Sequence, residues 1–162
     1  MSFVARRLVT IRHVCVASPA LLERLGTLQE QQELSHFPGI IYSDVDESRY
    51  WTFADIIGAL VASRLDFANG DAVREAAVAG LGVAMLPTFI AHDAVRRGEL
   101  SIVLAEHMRP PIAMHEIHPS MLNQTARARA FIDFLISEFA GEPFGIGACW
   151  SNEKRDRLAH PG

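Results

Sequence analysis

The segment Gly82–Leu86 constrains the fold of this chain more than any other segment. It is a short apolar run stopped by Pro87, which is typical of a strand that is buried on both faces of a sheet. Helical segments stand on either side of it, Ala72–Ala79 ending at Gly80 and a second helix ending at Gly98. Because strands and helices alternate in this way along the chain, the sequence predicts an α/β fold.

The remaining elements are predicted from β-branched runs, apolar periodicity and capping residues. β-Branched residues predict one long or bent extended segment over Val4–Ala17. Ser18 is a candidate N-cap, Pro19 stands at the first helical position and Gly26 stops that short helix. Further strands are predicted over residues 40–42, 50–53, 59–67, 100–104 and 112–117, with a helical turn within 28–37 and an amphipathic helix over 125–139.

The C-terminal part of the chain changes character after this amphipathic helix. The helix presents Phe131 and Phe134 on its apolar face, so we expect that face to dock on a sheet. Beyond it, the composition changes to glycine, proline and charged residues. We therefore expect residues 141–162 to form a disordered tail.

Two helix starts are candidate ligand-binding positions. Asn69, Gly70 and Asp71 stand where a helix begins beside a strand end, and backbone N–H groups at such a place attract anions. An ordinary capped helix start explains these residues equally well. Ser18 and Pro19 offer the same geometry at the first strand-to-helix turn, where the capping interpretation is favoured. If both starts bind ligand, they can face one cleft.

The sequence lacks the motifs that indicate catalysis or a metal site. Gly80 and Gly82 follow a helix, whereas a dinucleotide-binding turn has three glycines and precedes one, so we predict a helix cap. His115 and His118 are three residues apart in an extended segment, which sends their side chains to opposite faces. No Gly-x-Ser-x-Gly sequence or reactive cysteine motif occurs. We predict that the protein is not an enzyme and needs no cofactor or metal.

The charge and the cysteines restrict the partners and the cellular setting. The formal net charge is −4, whereas a DNA-binding surface carries a basic stripe, so these residues are not expected to bind DNA by themselves. No apolar export segment follows Arg6 and Arg7, and no run of about 20 apolar residues occurs. Cys15 and Cys149 are not spaced like a disulfide scaffold. We expect free thiols, a cytoplasmic setting and no membrane contact.

Several short pieces of the sequence point together to one protein family. They are Val4–Leu8, Val14–Pro19, Trp51–Phe53, Ala68–Asp71, Ala79–Pro87, Gly98–Leu100 and Arg129–Leu135. Each piece is weak alone, but their order and spacing are specific. Through them the chain resembles the LysR-type transcriptional regulators over Val4–Ala140, which is most of its length.

The resemblance implies a fold and a domain organisation. The expected domain is the C-terminal effector-binding domain of the family, which is similar to type 2 periplasmic binding proteins. In that fold two α/β lobes are joined by crossing strands, and a small effector binds between them. Residues 1–140 would be a partial domain of this kind. Residues 13–104 would be its complete second lobe, and residues 3–12 and 111–140 would be parts of the first lobe.

The resemblance also implies a binding site and partners. Residues in positions similar to the family's effector cleft are Ser18 and Pro19 near the hinge, and Ala68, Asn69 and Gly70 at the helix start. The implied ligand is a small-molecule effector, with a carboxylate as one candidate. The implied assembly is a homo-oligomer.

Two parts of the family's usual chain are not recognisable in this sequence. They are the DNA-binding helices and the opening strands and helices of the first lobe. We therefore expect an N-terminally truncated domain that senses a co-inducer and dimerises, with DNA contacted only through the missing N-terminal domain. Three alternatives stay open: a solute-binding protein of the same fold, a truncated remnant without function, and a small α/β enzyme.

Overall fold

The structure is a computed structural model that describes residues 3–43, 50–54, 59–119 and 126–139. These residues form nine strands and four α-helices, so the predicted α/β class is confirmed. The chain divides into two compact units, Arg12–Pro110 and Met1–Ile11 with Pro111–Gly162. The assignment of these units to a second and a first lobe stays a prediction. The tail predicted over residues 141–162 lies outside the described residues.

The elements follow one another in an alternating order. The strands are β1 (Phe3–Ile11), β2 (His13–Ala17), β3 (Pro38–Tyr42), β4 (Tyr50–Trp51), β5 (Ala59–Leu60), β6 (Ala62–Phe67), β7 (Val83–Pro87), β8 (Ser101–Val103) and β9 (Ile112–Pro119). The helices are α1 (Pro19–Leu25), α2 (Gly70–Val78), α3 (Thr88–Arg96) and α4 (Ala126–Phe139). Two 3-10 helices span Gln31–His36 and Ala105–His107, the first within the helical turn predicted over residues 28–37.

A five-stranded mixed sheet forms the centre of the Arg12–Pro110 unit, in the order β6-β3-β7-β2-β8. β3 runs parallel to β6 and β7, whereas β2 runs antiparallel to β7 and β8. The last residues of the three parallel strands, Tyr42, Phe67 and Pro87, therefore lie at one edge, which we call the carboxyl edge. β2 begins at this edge with His13, which pairs with Pro87, and ends at the opposite edge with Ala17.

β7 is the buried strand that the sequence predicted. Val83, Ala84 and Leu86 are fully buried. α2 packs against this strand, and its buried residues include Val73 and Ala77. Burial of one Val or Leu side chain contributes about 1.5–3 kcal/mol, so the layer of α2 on β7 is a main source of stability for the unit.

Gly82 allows β7 to approach β3 closely. A Cβ atom at this position would lie 2.5 Å from the carbonyl oxygen of Pro38, which is the first residue of β3. Any side chain would therefore push the two parallel strands apart, and only glycine fits without a shift of the backbone.

The end of α2 confirms the predicted glycine cap. Gly80 has a φ of 73° and its N–H donates to the carbonyl of Ala77. The N–H of Leu81 donates to the carbonyl of Ala76, which completes a Schellman motif. The pair Gly80 and Gly82 therefore closes a helix and does not form a phosphate-binding turn, as predicted. α3 ends in the same way at a second glycine with positive φ.

Two predicted strands are each interrupted by one residue. The first breaks at Arg12 into β1 and β2, because the Arg12 carbonyl accepts hydrogen bonds from the amide of Thr88 at 2.9 Å and from its hydroxyl at 3.1 Å. The second breaks at Val61 into β5 and β6. Val61 is buried, and a Cβ atom on Gly39 of β3 would lie 2.1 Å from its Cγ1. The side chain of Val61 therefore lies directly over Gly39 of β3.

The other unit is built on the antiparallel pair of β1 and β9, with an irregularity between Arg7 and Val9. The predicted amphipathic helix is present as α4 and contacts β1. Phe131 and Phe134, which were expected on the docking face of this helix, are 60% and 56% exposed. The prediction that this face is buried is therefore wrong for these two residues.

Candidate functional site

An open cavity of about 390 Å³ lies at the carboxyl edge of the five-stranded sheet, inside the Arg12–Pro110 unit. This volume is at the lower end of the range for small-molecule pockets, which is roughly 300–1,000 Å³. The residues that line the cavity are Tyr42, Ala68, Asn69, Gly70, Asp71, Phe89 and Ile90. Three residues predicted to contact an effector are therefore among its walls.

Strand ends and helix starts bring these side chains together. Tyr42 is the last residue of β3, Ala68 follows the end of β6, and Gly70 begins α2. α3 starts directly after β7, so Phe89 and Ile90 stand in its first turn. In α/β sheets, ligand sites form outside the carboxyl ends of parallel strands because the loops and helix starts converge there.

Gly70 makes the floor of the cavity compact. It is buried, and a Cβ atom here would lie 2.4 Å from Cδ1 of Ile90 and 3.5 Å from Cε1 and Cζ of Tyr42. The absence of a side chain therefore lets the ring of Tyr42 and the side chain of Ile90 close over the start of α2.

Asn69 caps α2. Its Oδ1 accepts hydrogen bonds from the amide of Asp71 at 2.8 Å and from the amide of Ala72 at 3.2 Å. The oxygen of this side chain is therefore used by the helix, and the remaining polar group of the amide is its NH₂, a hydrogen-bond donor. The ordinary capping interpretation of this helix start is confirmed.

Asp71 is the acidic residue in the cavity wall. Its Oδ1 lies 2.7 Å from Nη1 of Arg74, and Nη2 of Arg74 lies 2.9 Å from Oε1 of Glu75. The Asp71 side chain is 70% exposed, so this ion pair contributes little to stability. Its carboxylate nevertheless stands at the positive end of the α2 dipole, where an anionic ligand would otherwise be favoured.

Ser18 and Pro19 are not part of this cavity. Because β2 runs antiparallel to β7, these residues follow its end at the opposite edge of the sheet. Five residues of strand span about 17 Å, which separates the two edges. Ser18 is buried and its Oγ accepts from the amide of Leu21 at 3.2 Å, so it caps α1 as predicted. The expectation that both helix starts face one cleft is wrong within this unit.

Asp71 was predicted as part of a candidate ligand-binding helix start, but three other residues of the cavity wall were not predicted from the sequence: Tyr42, Phe89 and Ile90. A usable signal was present, because each of the last three stands at the end of a predicted strand or just after one. The rule that ligands bind beyond the carboxyl ends of strands would have selected them, had the strand directions been known.

His13 is a partly buried titratable residue at the same edge. It opens β2 and pairs with Pro87. Burial lowers the pKa of its imidazole, and the charge of Arg109 lowers it further. His13 therefore tends to be neutral near pH 7.

The thiol of Cys15 is inert by position. Cys15 is fully buried in the core, and burial raises its pKa, so it is not a reactive thiolate.

Among the described residues, no group of three or more His, Cys, Asp or Glu side chains is arranged to hold a metal ion. Within the same ranges, each helix is too short or too polar to cross a membrane.

Comparisons with known proteins agree on one protein family. Residues 1–140 match the LysR substrate binding domain. An uncharacterized HTH-type transcriptional regulator from Haemophilus influenzae is 31% identical over 122 residues, which is 74% of this chain and 42% of that protein. The HTH-type transcriptional regulator PtxR from Pseudomonas aeruginosa is 28% identical over 145 residues, which is 88% of this chain and 46% of that protein.

The fold is also found among solved structures. The regulatory domain of CrgA, a LysR-type transcriptional regulator from Neisseria meningitidis, matches with a TM-score of 0.72 and 24% identity. The match covers 85% of this chain and 69% of that one. LysR regulatory domains have the type 2 periplasmic-binding-protein-like fold, so the predicted fold class is confirmed.

The chain spans less than half the length of the two curated relatives described above, at 42% and 46%. Both are named as regulators of transcription, as the sequence resemblance implied. Because the family match extends over residues 1–140 of 162, the chain belongs to the LysR substrate binding domain family.

Proposed function

We propose that this chain is the effector-sensing part of a LysR-type transcriptional regulator, and that its cavity at the carboxyl edge contacts a small-molecule effector. The observation that carries this proposal is the position of Ala68, Asn69 and Gly70. These residues were selected from the sequence as effector contacts, and they line the cavity together with two aromatic side chains. Small-molecule sites are concave and combine apolar side chains with polar groups that fix the orientation of the ligand, and this cavity offers both kinds of group.

The rest of the proposed activity belongs to a longer protein. In it, an effector that prefers one conformation of the sensing domain would shift the population of that conformation and so change how the regulator acts on DNA. DNA contact would be made by another part of the regulator, because the net charge of this chain is −4. We further propose a homo-oligomer that works in the cytoplasm and does not catalyse a reaction. The named relatives are transcriptional regulators, which favours neither a solute-binding protein nor an enzyme.

A cavity-filling variant tests this proposal in the 162-residue chain. Ala68 is exposed and lines the cavity, so Ala68→Phe fills space there without disturbing the core. Ala79 is also exposed but lies at the other end of α2, so Ala79→Phe is the matched control. Thermal melting is measured for the three proteins with a panel of small aromatic and short-chain compounds.

We expect at least one compound to raise the melting temperature of the parent chain and of the Ala79→Phe variant, but not of the Ala68→Phe variant. A ligand present at 100 times its Kd stabilises the folded state by about 2.7 kcal/mol, which such a measurement detects easily. A compound that stabilises all three proteins equally would place the site elsewhere. The absence of any response in the parent chain would contradict effector binding.

A further inference from the structure

We propose that α4 pairs in an antiparallel direction with α4 of a second copy of this chain, through one exposed side of the helix. This inference rests on the homo-oligomer of the proposed function and names its contact surface. The exposed side carries Arg127, Phe131, Phe134 and Glu138, which we call the α4 seam. Spacings of four, three and four residues place these side chains in one row along a helix with 3.6 residues per turn. Rows with this spacing are typical of helices that pack on another helix.

The α4 seam is not the side by which the helix packs in its own unit. α4 contacts β1, and its partly buried side chains form a different row: Ile132, Leu135, Ile136 and Phe139. That row lies roughly 120° around the helix from the seam. Phe131 and Phe134 are 60% and 56% exposed. The seam therefore presents two large apolar side chains to solvent, and their burial against a partner would be favourable.

The α4 seam is complementary to itself in the antiparallel direction. When the two helices are centred between Phe131 and Phe134, Phe131 of each copy lies against Phe134 of the other. In the same alignment, Arg127 of each copy lies opposite Glu138 of the other. A twofold axis repeats both contacts, so the apolar centre is flanked by an ion pair at each end. A parallel pair would instead place like charges opposite each other, which is unfavourable.

The two charges of the seam stand at the ends of α4 that the helix dipole disfavours. Arg127 lies in the first turn, at the positive end, and Glu138 lies in the last turn, at the negative end. In the antiparallel pair each charge lies beside the opposite end of the partner helix, where its sign is favourable. A single α4 helix is therefore destabilised by these charges, whereas a pair is stabilised by them. This difference favours a second α4 helix as the occupant of the seam.

The length of α4 limits the strength of the pair. A helix of 14 residues is about 21 Å long, so the contact buries less than the roughly 1,200 Å² of stable complexes. We expect a Kd on the order of 10 µM. Sedimentation velocity of the 162-residue chain from about 1 to about 300 µM measures it. The chain should be a monomer at the lowest concentration and mostly a dimer at the highest.

Reversal of single charges tests which residues face each other. Arg127→Glu and Glu138→Arg each place like charges at two symmetric contacts, so each should raise the Kd about tenfold. Each also gives α4 a charge that its own dipole favours, so neither should lower the melting temperature of the monomer at about 1 µM. The double variant restores opposite charges across the pair and should bind about threefold more tightly than either single variant.

Two further variants complete the test. Phe134→Ala removes an apolar contact from the centre of the pair and should also raise the Kd about tenfold. Arg129→Glu is the matched control for Arg127→Glu, because it makes the same change of charge at an exposed residue on the other side of α4. It should leave the Kd within about twofold of the parent value.

The outcomes separate this inference from effector binding. A chain that is a monomer at all concentrations would overturn the pairing, and another segment of the longer regulator would then be expected to cover the seam. A dimer that Arg127→Glu and Phe134→Ala do not weaken would place the interface elsewhere. Equal weakening by Arg129→Glu, or no recovery in the double variant, would contradict the proposed alignment. In each case a rise in melting temperature with a compound of the panel would still support effector binding.

Discussion

The two compact units of this chain treat their large apolar side chains in opposite ways. In the Arg12–Pro110 unit, side chains such as Leu34, Ile40 and Leu86 are fully buried between a five-stranded sheet and its helices. In the unit of β1, β9 and α4, Ile117 is 68% exposed and Phe131 is 60% exposed. Both units have regular strands and an amphipathic helix. The difference shows that amphipathic elements bury their apolar faces only where enough layers exist to cover them.

The largest expected effect comes from the truncation of a side chain inside the Arg12–Pro110 unit. Leu86→Ala removes a fully buried side chain from β7 and should lower the free energy of unfolding by about 2–5 kcal/mol. Phe131→Ala removes a larger side chain from an exposed position and should change it by no more than about 0.5 kcal/mol. Urea denaturation of both variants measures the difference. Equal losses of unfolding free energy in the two variants would contradict the difference in burial between the two units.

A second variant tests how closely the strands of the Arg12–Pro110 unit are packed. Gly82→Ala places a Cβ atom 2.5 Å from the carbonyl oxygen of Pro38, so β3 and β7 must separate. We expect a loss of about 1–3 kcal/mol, as for other insertions into a well-packed core. The control is Ala113→Gly on β9, which removes a side chain from a strand instead of adding one and should cost about 0.5–1 kcal/mol through chain entropy. A Gly82→Ala variant as stable as the parent would show that the strands can separate freely.

A third variant separates capping from ligand binding at the start of α2. Asn69→Ala removes the acceptor of two amide hydrogen bonds and should cost about 1 kcal/mol of stability. Asn69→Asp keeps an acceptor oxygen and should retain most of it. Urea denaturation without ligand checks both values. If Asn69→Ala is neutral, water satisfies the helix start and the residue is available mainly for a ligand.

The smallest expected effect is a pH dependence of stability that arises from His13 in the Arg12–Pro110 unit. The pKa of His13 is lowered in the folded state, so between that pKa and the unfolded value near 6.5 the unfolded chain binds more protons. The stability from the neutral imidazole is therefore present above about pH 6.5 and is lost as the pH falls. His13→Gln should reduce the loss measured between pH 7.5 and 5.5.

The matched control for this measurement is His115→Gln, which changes an exposed histidine of β9 in the other unit. It should leave the pH dependence as it is in the parent chain. A pH dependence that is unchanged in His13→Gln would show that other groups cause the loss.

Local signals in the sequence predicted most helices correctly. α1 begins after Ser18 and α2 after Asn69, and both side chains accept hydrogen bonds from the helix that they cap. α2 ends at Gly80, where positive φ is required. These features could be predicted because each cap involves residues two to five positions apart, so a short stretch of sequence contains both partners.

The two strand interruptions could not be predicted from local sequence in the same way. Arg12 leaves the strand because its carbonyl accepts from Thr88, which lies 76 residues away. Val61 interrupts the second strand, and its buried side chain lies over Gly39 of β3. Neither residue differs in its local pattern from a residue within a strand.

The sequence by itself determined the α/β class, the caps and the buried character of β7, because these depend on short-range hydrogen bonds and on apolar periodicity. It also selected Ala68, Asn69 and Gly70, which line one cavity. Only the tertiary structure decided which residues join them, because strand order and direction are set by pairing between distant segments. The antiparallel direction of β2 carries Ser18 to the opposite edge, while the parallel β3 and β7 bring Tyr42 and Phe89 to the start of α2.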